Sequence, residues 1–169
     1  MERENYIQED TQAITDLMRV WGQEVRSSYK DGTLSEKDIA LRAQLIAEET
    51  IELFAAMGFT LKTETPGELG ERQAYSLERH PDAVEGELAD PQETLDALGD
   101  IVYVVKGAAP ALGMDIDKAV LYAIHPSNMS KLDADGKVIK REDGKIMKSD
   151  QYFPPTERLK EVLEDGFPA

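Results

Sequence analysis

Hydrophobic residues recur at helical spacing over most of this chain, so the pattern predicts a mainly helical protein. The apolar face of a first helix, at about residues 7–28, carries Ile14, Leu17, Met18, Trp21 and Val25. We expect this face, including Trp21, to lie in the core, because a tryptophan in an apolar helical stripe is usually buried. A second helix is predicted from Ser35, as its N-cap, to about residue 57, where Gly58 ends it.

A third helix is predicted over residues 91–112. Asp90 acts as its N-cap and Pro91 occupies its first turn, a common combination at helix starts. After Asp100 the sequence is apolar on nearly every side of the helix. We therefore expect this helix to be buried centrally.

Two shorter helices are predicted near the C-terminus. In the first, at about residues 117–129, the positions turned inward are Val120, Leu121 and Ile124, and Pro126 kinks the helix or ends it early. The second follows residue 155 and places Leu159, Val162 and Leu163 on one side.

The helical pattern is interrupted in two places. Residues 60–90 are acidic and rich in turn residues, with a short helix predicted at about 67–78. This insert is open to three interpretations: a lid, a specificity element or a subunit contact. Residues 135–142 are then echoed by residues 143–150, and the two Asp-Gly turns predict a hairpin or an extended arm.

The second helix carries an acidic cluster within an apolar surface. At about 100° per residue, Glu48, Glu49 and Glu52 fall on one face together with leucine and alanine residues. Such carboxylates repel one another, and facing other protein would raise their pKa values unless a cation neutralised them. A surface helix that glutamate merely keeps hydrated is the alternative explanation.

The third helix carries a matching acidic pair. Asp96 and Asp100 are one turn apart, with Tyr103 below them on the same helix. Two aspartates at this spacing repel, so something must compensate them. Carboxylates on two helices, in a chain with no cysteine, suit hard cations such as Mg²⁺ or Mn²⁺.

Composition narrows the range of functions. The 169 residues are 41% hydrophobic, which indicates a folded chain, and the net charge of −15 disfavours nucleic acid as a partner. No segment resembles a signal peptide or a membrane span, so we expect a cytoplasmic protein with no membrane partner. Residues 131–148 are the exception in charge, with six bases and four acids, and suggest a clamp for phosphate.

The motifs together resemble those of the MazG-like all-α nucleoside triphosphate pyrophosphohydrolases. They are Glu48-Glu49-x-x-Glu52, Asp96-Ala-Leu-Gly-Asp100, His125-x-x-Asn128-x-Ser130-Lys131 and the Asp-Gly-Lys arm. The resemblance covers about residues 7–155 and is strongest to the shorter members related to all-α dUTPases, including phage-type proteins. It implies an all-α bundle of four to five helices, with an acidic insert and a hairpin-like C-terminal arm.

The resemblance also implies an activity and an assembly. A nucleoside triphosphate, in particular a deoxynucleoside triphosphate, would be hydrolysed to the monophosphate and pyrophosphate by water attacking the α-phosphorus. Homodimers or homotetramers would build the active site. The catalytic domain would span residues 1–130, and residues 131–169 would complete the site.

Site residues are assigned from the resemblance by position. Mg²⁺, or Mn²⁺ in its place, would be held by Glu49, Glu52 and Asp100, while Glu48 would be a ligand or the base that orients water. The substrate would contact Tyr103, Asn128, Lys131, Lys140 and Lys148. The usual E-x-x-D motif has Ala97 at its first position, and Asp96 is the candidate for the missing carboxylate.

Other functions remain open at this stage. Enzymatic alternatives are a narrowly specific dUTPase and a phosphoribosyl-ATP pyrophosphohydrolase. The charge of −15 also suits an acidic interaction protein, even a mimic of DNA, and Ala97 suits an inactive enzyme that only binds metal or nucleotide. The clustering of acids at residues 48–52 and 96–100 favours the enzyme over an acidic mimic, whose carboxylates would be spread across the surface.

Overall fold

A computed structural model describes residues 6–63, 75–142 and 144–168, with side chains from residue 10 onward. The prediction of an all-α fold is confirmed, because helices dominate and the described residues form only one small sheet. The helices are α1 (Tyr6–Val20), α2 (Glu36–Ala56), α3 (Pro91–Ala111), α4 (Ile116–Lys118), α5 (His125–Met129) and α6 (Thr156–Asp165), with a π-helical segment at Ala119–Ile124 and strands β1 (Phe59–Thr63) and β2 (Tyr75–Arg79).

The chain packs as two compact units. Unit 1 consists of Met1–Thr33 and Lys106–Ala169, and unit 2 is the continuous stretch Leu34–Val105. Helix α3 begins in unit 2, and its last residues belong to unit 1. The predicted boundary at residue 130 separates a catalytic domain from a segment that completes the site. It does not correspond to these units and stays a prediction.

The core of unit 1 is built around α1. Ile14 and Met18 are buried with Ala111, and Val25 packs against them half-buried. The predicted extension of α1 to residue 28 is wrong, because the helix ends at Val20 and Gly22 adopts a φ of 70°. Trp21 therefore leaves the apolar face and is 63% exposed, which corrects its predicted place in the core.

Glycines let loops of unit 1 approach one another closely. A Cβ on Gly113, whose φ is 70°, would lie 2.2 Å from the carbonyl carbon of Ser28. Nearby, the Arg26 amide donates a hydrogen bond to the Pro110 carbonyl at 2.9 Å. The segment after α1 is thus held directly against the end of α3, where no side chain fits.

Residues 116–129 form one helical run with a π-type segment in its middle. The run continues through Pro126 to Met129, and Pro126 cannot donate a backbone hydrogen bond to the Tyr122 carbonyl. The Arg158 guanidinium donates to that carbonyl at 3.1 Å instead. Ala123 and Ser127 are the buried positions; the prediction that Val120, Leu121 and Ile124 face inward is wrong, since all three are exposed.

The C-terminal arm forms two tight turns. Isolated bridges join Leu132 to Val138 and Lys140 to Ile146, in agreement with the predicted hairpin-like arm. The Ser127 hydroxyl donates to the Phe153 carbonyl at 2.9 Å and ties the end of the arm to α5. Helix α6 then buries Val162, with Leu159 and Leu163 half-buried, as predicted.

Unit 2 begins with the capped helix α2. Ser35 accepts a hydrogen bond from the Asp38 amide at 3.1 Å, which confirms the predicted N-cap. After Gly58, strands β1 and β2 pair antiparallel, with Phe59 opposite Arg79. The short helix predicted at 67–78 is wrong at residues 75–78, which are strand; its remainder lies outside the described residues.

Helix α3 is less buried than its composition predicts. Thr94 and Ala97 are buried, as are residues 107–111, but Leu95, Leu98, Val102 and Tyr103 are exposed. The prediction of central burial is therefore wrong for the first half of α3, because no described element of unit 2 covers that side.

No single helix in the described part of the chain is long and apolar enough to cross a membrane. One pair of helices, Pro91–Ala111 with Ile116–Met129, meets the length and composition of a membrane span only when both are taken together, and the pair is sharply bent.

We predict that Gly113→Ala destabilises the protein much more than Gly22→Ala. Both glycines have a φ of 70°, but a Cβ at Gly22 meets nothing within 4 Å. Gly22→Ala should cost about 1 kcal/mol of backbone strain, whereas Gly113→Ala should cost about 3 kcal/mol or more because the Ser28 backbone must also move. Urea unfolding of both variants measures the difference, and equal losses would contradict the close approach at Gly113.

Candidate active site

The acidic residues of α2 lie on one side of the helix, as the periodicity predicts. Glu48 and Glu52 are exposed, and Glu49 between them is partly buried. Glu48 accepts a hydrogen bond from the Gln44 amide nitrogen at 2.8 Å, one turn earlier. This bond holds Glu48 along the surface of α2.

Helices α2 and α3 both contribute residues to one cavity. They meet where the Asp90 amide donates to the Ala56 carbonyl at 2.9 Å. Asp90 also caps α3, since its carboxylate accepts the amides of Gln92 and Glu93 at 3.0 Å. The cavity, of about 390 Å³, is lined by Glu52, Ala55, Ala56, Asp90, Glu93, Asp96, Ala97 and Asp100. Acids from both predicted motifs thus face one space.

Glu49 is the electrostatic focus of this cluster. Its Oε2 atom is buried without a hydrogen-bond partner. Burial raises the pKa of the Glu49 carboxyl above its ordinary value of 4.5, and the neighbouring charges raise it further. These charges, in decreasing order of effect, belong to Glu52, Asp100, Glu48 and Asp96. The other four predicted acidic residues are therefore all close enough to Glu49 to raise its pKa.

The chemistry of this cluster suits a hard divalent cation. Its donors are carboxylate oxygens, which Mg²⁺ and Mn²⁺ prefer, and the Glu49 Oε2 atom has no other partner. Among the residues that the structure describes, no three acidic or histidine side chains are already gathered in the geometry of a metal site.

The predicted substrate residues divide between the two units. Tyr103 lies in unit 2 with the acids and is 41% exposed. Unit 1 contains the other four predicted substrate residues, which are Asn128, Lys131, Lys140 and Lys148. There Lys131 donates to the side chain of Asn128 at 2.7 Å, and the Lys148 ammonium lies 4.3 Å from the ring centre of Tyr152. Lys140 belongs to the second bridge of the arm. Contact of these four residues with substrate stays a prediction.

A second cavity, along the exposed side of α3, contains residues that the sequence interpretation missed. Its volume is about 500 Å³, and its lining is Gln92, Glu93, Leu95, Asp96, Gly99, Asp100 and Tyr103. Glu93 lines both cavities. Gln92, Glu93 and Gly99 lie three or four positions from Asp96, and this spacing would have found them, because such residues share a helix face.

Comparison with known protein families identifies the chain. Residues 11–128 match the phosphoribosyl-ATP pyrophosphohydrolase family, which belongs to the MazG-like superfamily. The chain belongs to this family. No curated protein matches the chain. Membership makes it a nucleotide pyrophosphohydrolase, an enzyme that acts on phosphoanhydride bonds, and it confirms the predicted superfamily without singling out the dUTPase-related members.

The region matched to the pyrophosphohydrolase family contains all five predicted acids. It ends at Asn128, so Lys131, Lys140 and Lys148 lie beyond it. Within it, Ala97 is only 6% exposed, whereas Asp96 is exposed and lines both cavities. Asp96 is therefore placed where it can contribute a carboxylate to the site. That it replaces the acid expected at position 97 stays a prediction.

We predict that Glu49→Gln makes the pyrophosphohydrolase more stable at pH 7 when divalent cations are removed by a chelator. A raised pKa means that the folded protein takes up a proton at Glu49 more readily than the unfolded chain. Ionised Glu49 therefore lowers the free energy of unfolding. This loss of stability is absent below the ordinary pKa of 4.5 and develops as pH rises through the raised pKa.

Chemical unfolding in chelator between pH 4.5 and pH 7 measures this effect. The advantage of Glu49→Gln should shrink as pH falls, and Glu85→Gln, a change at an exposed glutamate of the same unit, should show no such trend. A Glu49→Gln variant less stable than wild type at pH 7 would contradict the electrostatic account.

Proposed function

We propose that this member of the family hydrolyses a nucleoside triphosphate, in particular a deoxynucleoside triphosphate, to the monophosphate and pyrophosphate. The observation that carries the proposal is the partnerless, buried Oε2 atom of Glu49 among four further carboxylates. Such an arrangement is costly for stability alone, and carboxylates with a perturbed pKa are common at functional sites. A cation and a triphosphate together supply the missing partners.

Each acid has a proposed role. Glu49, Glu52 and Asp100 hold Mg²⁺, or Mn²⁺ in its place, with Asp96 as a further ligand. When bound, the cation offsets charge on the phosphate oxygens and favours a water nucleophile. Glu48, held by Gln44 at 2.8 Å, is a further ligand or orients that water toward the α-phosphorus.

The residues proposed for substrate recognition are Tyr103 in unit 2 and, considered separately, four residues of unit 1. Tyr103 presents an exposed ring beside the acids, and aromatic rings stack on nucleotide bases. Asn128 and Lys131 form a hydrogen-bonded pair that offers polar groups to the substrate. Lys140 and Lys148, on the basic arm, contribute positive charge toward phosphate groups.

A second candidate substrate is phosphoribosyl-ATP. The description of the matching family favours it. The bond to be broken is of the same kind, since this molecule also carries a triphosphate that can lose pyrophosphate. The acidic cluster therefore serves both candidates, and the base and sugar decide between them.

We further propose that the enzyme acts as a homodimer or homotetramer in the cytoplasm. Leu98 and Val102 expose apolar surface on the first half of α3. Exposed apolar patches of this kind are typical of protein contacts. A second copy of the chain is the simplest partner, because most soluble oligomers are built from identical subunits.

We predict that the enzyme with Mg²⁺ releases pyrophosphate and a nucleoside monophosphate from at least one nucleotide. The assay uses a panel of dNTPs and NTPs, including dUTP, together with phosphoribosyl-ATP, and separates pyrophosphate from orthophosphate. Turnover should disappear with a chelator and return with Mn²⁺. Activity on phosphoribosyl-ATP alone would select the second candidate, and orthophosphate as the product would contradict attack at the α-phosphorus.

We predict that Glu49→Gln and Asp100→Asn each lower kcat by about 100-fold or more. Each change removes a carboxylate charge while keeping the size of the side chain, so cation binding and transition-state stabilisation are lost without a packing defect. Steady-state kinetics at saturating Mg²⁺ measures the loss. The matched Glu85→Gln variant should retain wild-type turnover, and full activity in either site variant would rule out the proposed mechanism.

A further inference from the structure

Gly99 is a glycine that the described fold does not require. It lies inside α3, where glycine is the least favourable residue after proline. It has no positive φ, and a Cβ at this position meets nothing within 4 Å. Gly107 on the same helix differs, since its Cβ would touch Ile14 at 3.7 Å and Met18 at 3.8 Å.

The open space at Gly99 is part of the cavity of about 500 Å³ along α3. At about 100° per residue, Glu93, Asp96 and Asp100 form one edge of this cavity. Leu95 and Gly99 form the opposite, uncharged edge, and Leu95 is 73% exposed. The cavity is therefore divided along its length into an acidic side and an apolar side.

The two sides suit different parts of one ligand. The acidic side repels phosphate unless a cation lies between them, so a triphosphate must bind there through the cation. The apolar side offers no charge to the ligand. It suits an uncharged, flat group, and the exposed Tyr103 ring and the Gln92 amide at the two ends offer stacking and hydrogen bonds.

We infer that the base and sugar of the substrate lie against the backbone of α3 at Gly99, between Gln92 and Tyr103. This inference rests on the proposed function and specifies how the same site holds the nucleoside. Glycine is needed because any Cβ would lift a flat group off the helix. Gly99 is thus a specificity-determining residue, although it carries no chemistry of its own.

The test compares Gly99→Ala and Gly99→Leu with wild type on the nucleotide that wild type turns over best. Gly99→Leu should raise KM about tenfold or more and change kcat much less, with a smaller rise in KM for Gly99→Ala. Inhibition by inorganic pyrophosphate with Mg²⁺ should be unchanged, because pyrophosphate has no nucleoside. The melting temperature of Gly99→Ala should be equal to or above that of wild type, since alanine favours the helix.

Ala43→Leu is the matched control, since it adds the same side chain at an exposed position of α2 on the face opposite the acids. It should leave KM and pyrophosphate inhibition unchanged.

Three outcomes would overturn the inference. An unchanged KM in Gly99→Leu would show that nothing binds closely there. A changed molar mass in light scattering with unchanged KM would assign the open strip to a second copy of the chain. Equal weakening of pyrophosphate inhibition and nucleotide binding would place the phosphates at Gly99. Absence of nucleotide turnover by wild type would instead defeat the proposed function itself, and the two failures are therefore distinguishable.

Discussion

Electrostatic repulsion around Glu49 is the constraint on which the site depends. One of its carboxylate oxygens is buried without a partner, and four further acids are close enough to raise its pKa. A folded chain tolerates such an arrangement only when other interactions hold the helices in place, because each unneutralised charge opposes the packing. The same repulsion would be relieved by the divalent cation that we propose, so the cost in stability and the proposed binding have one cause.

Local interactions define the starts of the two acidic helices and connect the beginning of α3 to the end of α2. Ser35 caps α2 and Asp90 caps α3, and the Asp90 amide also bonds to Ala56 at the end of α2. One residue thus starts α3 and joins it to α2. The carboxylates stand on rigid helices, and this placement is more accurate than a loop would allow.

The exposed side of α3 is where we propose that the substrate binds. One cavity along this side of α3 is lined by acidic residues, by the apolar Leu95 and by Gly99, which has no side chain. This surface is a cost for an isolated chain, since Leu95 and Val102 face solvent in it. Both the proposed nucleotide and the proposed second subunit would cover parts of it.

The sequence alone determined the local features of this protein. Caps at Ser35 and Asp90 and the stop at Gly58 depend on nearby residues, so the bounds of α2 and α3 were predictable to within a residue or two. Helical periodicity likewise placed the acids on shared faces, and their order along the chain pointed to the superfamily that the family match confirms.

Only the tertiary structure decided which groups are buried. Trp21 is exposed because α1 ends just before it, and Val120, Leu121 and Ile124 are exposed although their spacing is helical. The isolated oxygen of Glu49 and the open space at Gly99 depend on elements far away in the sequence. Periodicity is a property of one segment, whereas burial and pKa depend on what the rest of the chain places beside it.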